Sequence, residues 1–99
     1  KEQVRLADQA SYPVEVLING EVIGAVGPYL YATYNVPKEV ITIAFRRQGS
    51  RSDLFSQTVD VPRNAFFAYT VLPDGRVIAT GGEVDPNLQE QPNTYYYGY

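Results

Sequence analysis

The chain has 99 residues, 44% of them hydrophobic and 19% charged, with a net charge of −3. That composition suits one small globular domain with a modest core and argues against a domain-wide nucleic-acid footprint. Cys and His are both absent, which excludes a disulfide framework, metal sites built on thiolate or imidazole, and catalysis through a histidine base.

No apolar run reaches the ~20 residues that a membrane helix needs, so no transmembrane segment is expected. The sequence begins at Lys1 and contains no Met. The expectation is a processed product or a fragment, with any signal peptide, lipobox Cys or lipid anchor lying upstream of Lys1.

Hydrophobicity alternates with a period of two along most of the chain, and turn signals recur every 8–12 residues, which predicts an all-β domain. Residues 3–7 are a weak first candidate, either a strand or an N-terminal arm. Residues 13–18 form a strong one, with Pro13 at its first position, where no ladder donor is lost. Asn19-Gly20 then accepts positive φ at both positions, as a type I′ turn requires, and residues 21–26 return. A two-residue turn sets Ile18 opposite Glu21, Val16 opposite Ile23 and Val14 opposite Ala25. The expected core face is therefore Val14, Val16, Ile18, Ile23 and Ala25. Glu15 and Gly24 fall on the other face, with Leu17 and Val22 partly exposed.

Gly27-Pro28 interrupts the pattern before a strand at 29–36. Residues 37–39 turn into the most β-prone stretch, 40–47, with Ile41, Ile43 and Phe45 on one face. A polar hairpin loop over 48–53 leads to a strand at 54–61, with Phe55, Val59 and Val61 inward. After a turn at 62–64, residues 65–72 are apolar on both faces and read as a central strand, with Phe67, or alternatively Phe66, as the inward member of that pair. Pro73-Asp74-Gly75 is a turn in which Pro presets φ and Gly accepts the left-handed region. Residues 76–80 are the last strand of the pattern.

The fold expected is a small antiparallel β-sandwich or partly open barrel of 7–8 strands, because a single sheet would leave one side of its aromatic strands wet. Residues 1–82 form this domain. Residues 83–99 form a Tyr-rich C-terminal tail.

Chemistry-bearing constellations are sparse. The carboxylate pairs Glu15 with Glu21, Asp53 with Asp60 and Glu83 with Asp85 sit in no hydrolase motif, so no enzyme and no catalytic residue is expected. Glu83, Asp85 and Asn87 offer oxygens to Ca²⁺ without the loop pattern that such a site requires, and no metal or cofactor is expected. Gly24, Gly27, Gly81 and Gly82 open no helix and read as turn glycines rather than phosphate loops.

Two features point to binding. Arg46, Arg47 and Arg51 place three of the eight basic residues in one hairpin of an acidic chain, a candidate contact for an anionic partner. Nine residues are Tyr, and Tyr95, Tyr96, Tyr97 and Tyr99 crowd the last five positions. Tyr gives rigid amphipathic contact area at low entropic cost. The tail is expected to dock on an open sheet edge, on the same domain or on a neighbouring copy, and so to drive self-association.

The run Val14-Glu15-Val16-Leu17-Ile18-Asn19-Gly20-Glu21-Val22-Ile23-Gly24 resembles the opening of PEGA-type domains and of related small β domains of bacterial envelope lipoproteins. These begin with a V-x-V-x-I-N/D-G-x-x-I/V-G hairpin. The likeness extends over about residues 14–72. It departs at Pro37-Lys38-Glu39-Val40, where the family usually has Pro-Glu-Gly or Pro-Gly. The resemblance implies a non-enzymatic adhesive or scaffolding module at the cell envelope, with no catalytic residues to carry over. The leading expectation is thus an extracytoplasmic protein-binding accessory subunit, in the periplasm, at the outer membrane or secreted. The alternatives are a phage or viral virion component (tail, fibre or capsid decoration) and a carbohydrate-binding module that uses Tyr29, Tyr31 or Tyr69 as stacking platforms.

Overall fold

The structure, a computed structural model, describes residues 1–83. Eight strands account for most of them: β1 (Gln3–Asp8), β2 (Val14–Ile18), β3 (Glu21–Val26), β4 (Tyr31–Asn35), β5 (Val40–Arg47), β6 (Asp53–Asp60), β7 (Phe66–Val71) and β8 (Val77–Glu83). They form two four-stranded sheets with strand orders β4-β1-β7-β8 and β3-β2-β5-β6. The expected β-sandwich is therefore the fold, and neither sheet closes into a barrel.

The core lies between the four inner strands. Val4 and Leu6 of β1 and Phe67, Tyr69 and Val71 of β7 face Val14, Val16 and Ile18 of β2 and Ile41, Ile43 and Phe45 of β5. Each pair of inner strands sends alternate side chains inward, so two short sheets suffice to enclose a dry layer. Phe67, not Phe66, is the inward member of its pair.

One neighbour relation departs from the antiparallel expectation. β1 and β7 run parallel, Gln3 opposite Phe66 through Asp8 opposite Val71. Short connections make sequence neighbours antiparallel, but β1 and β7 are separated by the whole second sheet and carry no such constraint. The weakly patterned first strand is thus an inner one, held by β4 on one side and β7 on the other.

The Asn19-Gly20 turn is as expected, with φ of 52° and 83° at the two positions. Asn19 does more than turn the chain: its Oδ1 accepts the Thr42 N–H at 2.9 Å, which ties the turn to β5. Gly20→Val puts a β-branched residue into the left-handed region, at a cost of about 1–2 kcal/mol. The expected result is a lower thermal midpoint, and an unchanged one would show that position 20 tolerates that strain.

The hairpin register corrects the expected core. A β-bulge between Val16 and Leu17 leaves Ile23 without a partner, so Val16 faces Gly24, Glu15 faces Ala25 and Val14 faces Val26. Ile23 and Ala25 are consequently exposed, while Leu17 and Val26 are buried. The extra residue reverses the side-chain phase of the second half of β3. A steric reason is visible at Gly24, where a Cβ would lie 2.6 Å from Cε1 and 2.7 Å from the hydroxyl of Tyr34. The Tyr34 ring occupies the space that an inward side chain on β3 would fill.

The last strand also differs. It runs to Glu83 rather than ending at Thr80, past a second bulge between Ala68 and Tyr69, with Glu83 opposite Phe66. Two glycines hid this continuation, since Gly carries no pattern for a period-two reading.

Candidate functional site

Strand directions bring four connections to one end of the sandwich. These are residues 9–13 between β1 and β2, 27–30 between β3 and β4, the hairpin tip 48–52 between β5 and β6, and 72–76 between β7 and β8. The arginine hairpin and the Gly27-Pro28 break, far apart in sequence, therefore share an end.

At 27–30 the Leu30 N–H donates to the Gly27 carbonyl at 3.2 Å, closing a turn with Pro28 second and Tyr29 third. Tyr29 has φ 65°. Glycine ordinarily takes that third position, and a bulky side chain there is strained by the order of 1–3 kcal/mol. The turn is held from below, because the Asp8 N–H donates to the Leu30 carbonyl at 2.8 Å. Its consequence is a row of side chains turned to solvent, with Tyr29 72%, Leu30 62% and Tyr31 68% exposed.

These residues belong to a larger apolar edge. β3 and β4 are the outer strands on the same side of their sheets, and β3 adds the exposed Val22 and Ile23. Five of the seven large apolar side chains exposed among the described residues lie on this edge, the other two being Val40 and Ile78. Single exposed apolar residues are ordinary, but several on two neighbouring outer strands make a candidate contact edge.

Of the arginines, Arg46 is already engaged. Its Nε and Nη2 donate to Asp53 Oδ1 at 3.1 and 2.9 Å, across the β5–β6 pair. The guanidinium of Arg47 lies 4.3 Å from the centre of the Tyr12 ring. Both Arg47 and Arg51 are exposed. The hairpin thus offers two cations rather than three, one steadied by an aromatic face. Asp53 is the residue that a reading of charge alone passes over. Tyr95, Tyr96, Tyr97 and Tyr99, and the Asp85 and Asn87 oxygens, lie outside the described residues.

Tyr69 is corrected from stacking platform to core. It is 1% exposed, its ring lies 5.2 Å from both Phe45 and Phe55, and its hydroxyl donates to Gln57 Oε1 at 2.8 Å. Among the described residues no three His, Cys, Asp or Glu side chains come together.

One buried acid adjoins the strained turn. Asp8 is 1% exposed; its Oδ1 accepts the Ala10 N–H at 2.9 Å, and its Oδ2 is buried without a partner. Burial pushes its carboxyl above the ordinary range, against the opposing pull of the Ala10 N–H. Since the folded state holds this proton more tightly than the unfolded chain, the stability it confers is complete below the ordinary carboxylate pKa of about 4 and is lost as pH rises through the raised value. Asp8→Asn keeps an oxygen for Ala10 and removes the titration. Urea midpoints of wild type and D8N measured across that range are expected to converge at low pH, with wild type falling behind as pH rises. Parallel curves would show that Asp8 does not titrate there.

Fold and site together define a β-sandwich with one exposed apolar edge and a cationic hairpin at one end. No family model matches the sequence, and no curated protein does. Among solved structures, the fold is similar to that of the N-terminal domain of AlgF from P. aeruginosa, with a TM-score of 0.57, 15% identity, and coverage of 78% of this chain and 89% of that one. At that identity the likeness is one of fold.

Proposed function

We propose that this protein is a non-enzymatic, extracytoplasmic protein-binding module, an accessory subunit of a bacterial cell-envelope assembly. A partner would seat against Tyr29 and Leu30, with Arg47 and Arg51 taking acidic groups at the same end. The observation that carries this reading is Tyr29 itself. A domain of this size keeps few kcal/mol in reserve, and a bulky side chain kept at a strained turn position yet turned to solvent gains no burial in return. Exposed Tyr and Arg at one end of the domain are residue types enriched in binding hot spots. The envelope location rests on the hairpin's resemblance to envelope lipoprotein domains.

The test separates folding from binding. Asn tolerates the left-handed region, so Tyr29→Asn removes the ring and leaves the turn. A fragment library of envelope proteins displayed against the chain is expected to yield a partner whose binding falls by about tenfold or more in Tyr29→Asn, with the thermal midpoint little changed. The Arg47→Glu, Arg51→Glu pair is expected to weaken binding and flatten its salt dependence. A partner held equally by all three forms would overturn the site.

A second reading has one specific support. Tyr29 and Tyr31 present two exposed rings close together, as a sugar-stacking platform would. Glycan-array binding lost in Tyr29→Asn, with no protein partner found, would select it.

A further inference from the structure

The outer face of the β4-β1-β7-β8 sheet carries a strip that the docking edge does not explain. Outward positions on β1, β4 and β7 hold one charged side chain, Arg5. Its guanidinium lies 5.5 Å from the centre of the Tyr31 ring on β4 and 5.3 Å from that of Phe66 on β7. Arg5 therefore bridges two aromatic rings across three strands, and among the described residues no carboxylate meets it. Beside the strip, Ala68 and Thr70 point to the same face and are 5% and 6% exposed, so small recessed side chains lie between larger ones. A guanidinium held between rings keeps its in-plane N–H donors free for a carboxylate, because the ring contacts use its faces.

Residues 84–99 have the matching chemistry. They contain Asp85 and Glu90, no Lys or Arg, and the four tyrosines Tyr95, Tyr96, Tyr97 and Tyr99. The chain enters this segment at Glu83, the residue paired with Phe66 at the edge of that very sheet. Eleven residues separate Glu83 from Tyr95, and the extended chain between the two spans up to about 40 Å, twice the length of a six-residue strand. Charge, aromatic content, starting point and reach agree on one occupant.

We propose that residues 84–99 dock on the outer face of their own domain, with Asp85 or Glu90 on Arg5 and tyrosines against Tyr31 and Phe66. This contact is intramolecular and needs no outside partner. It places the segment across a sheet face rather than along a sheet edge.

Hydrogen exchange of the full chain tests it. Amides of residues 84–99 are expected to exchange about tenfold or more slowly than in a synthetic peptide of the same sequence, at protein concentrations where sedimentation shows a monomer. Arg5→Glu is expected to return them to peptide rates while the core strands stay protected, and Arg51→Glu is expected to leave them slow. Restoring protection by combining Arg5→Glu with Asp85→Arg and Glu90→Arg would identify the charge contact. Peptide-like exchange in the wild type overturns the proposal. So does protection that rises with concentration and tracks self-association, which would assign the segment to a second copy, and so does protection indifferent to Arg5→Glu. Loss of core-strand protection in Arg5→Glu would be met by Phe66→Ser, for which the same release of the segment is required.

Discussion

Phe67→Ala and Ile43→Ala are each expected to destabilise the domain by about 2–5 kcal/mol. Both residues are fully buried, one on each inner sheet face. Removing either leaves a void that the opposite sheet cannot close, because its strands are pinned by neighbours on both sides. A domain of this size has roughly 5–10 kcal/mol in all, so either variant approaches the unfolding threshold at room temperature. Urea denaturation gives the measurement. Midpoints equal to wild type in both variants would mean that the strand phases of β5 and β7 are misplaced. Phe66→Ala is the internal control: its ring lies on the outer face, and its truncation is expected to cost less than that of Phe67.

The second large effect concerns Tyr69, where one residue joins the two sheets in two ways. Its ring meets Phe45 edge-on at 5.2 Å and Phe55 at 5.2 Å, while Phe45 and Phe55 stack on each other at 5.5 Å. Its hydroxyl crosses from β7 to Gln57 of β6. Tyr69→Ala is expected to cost on the order of 3–5 kcal/mol, the range for loss of a buried aromatic ring. Tyr69→Phe retains the ring and loses only the hydrogen bond, for about 0.5–1.5 kcal/mol. The ratio of the two losses apportions ring packing and hydroxyl. Equal losses would mean that the hydroxyl carries the joint and that the three-ring cluster contributes little.

Much of the fold was legible in local pattern. Val40–Arg47 carries its strand bounds in the sequence, because inward Ile41, Ile43 and Phe45 alternate with Thr42, Ala44 and Arg46. Asn19-Gly20 announced its turn through the two residue types that accept positive φ most readily. On a strand apolar on both faces the sequence alone does not separate Phe66 from Phe67; the packing of the sheets puts Phe67 inward with Tyr69 and Val71. The candidate site was legible in part. The arginine hairpin was visible as a charge cluster, but Asp53, which engages Arg46, reaches it only through the cross-strand pair. Tyr29 and Tyr31 stood out as aromatic residues after a break. Nothing in a Pro-Tyr pair signals a left-handed third position.

What the amino-acid sequence determined by itself was therefore what depends on a few neighbouring residues: the period of two, the turns, the phase of each regular strand, and the lack of any thiolate or imidazole chemistry. Only the tertiary structure decided the rest. The bulge at Ile23 follows from the Tyr34 ring over Gly24, a contact between strands of different sheets. The parallel pairing of β1 with β7 joins segments some sixty residues apart, beyond the reach of any local signal. The exposed apolar edge exists because the two outer strands β3 and β4 fall on the same side of the sandwich, and the arginine hairpin and the strained Tyr29 turn lie at the same end because of strand direction alone. Side-chain pattern says which face of a strand is buried; which strand lies beside which is settled by how two whole sheets can close over one core.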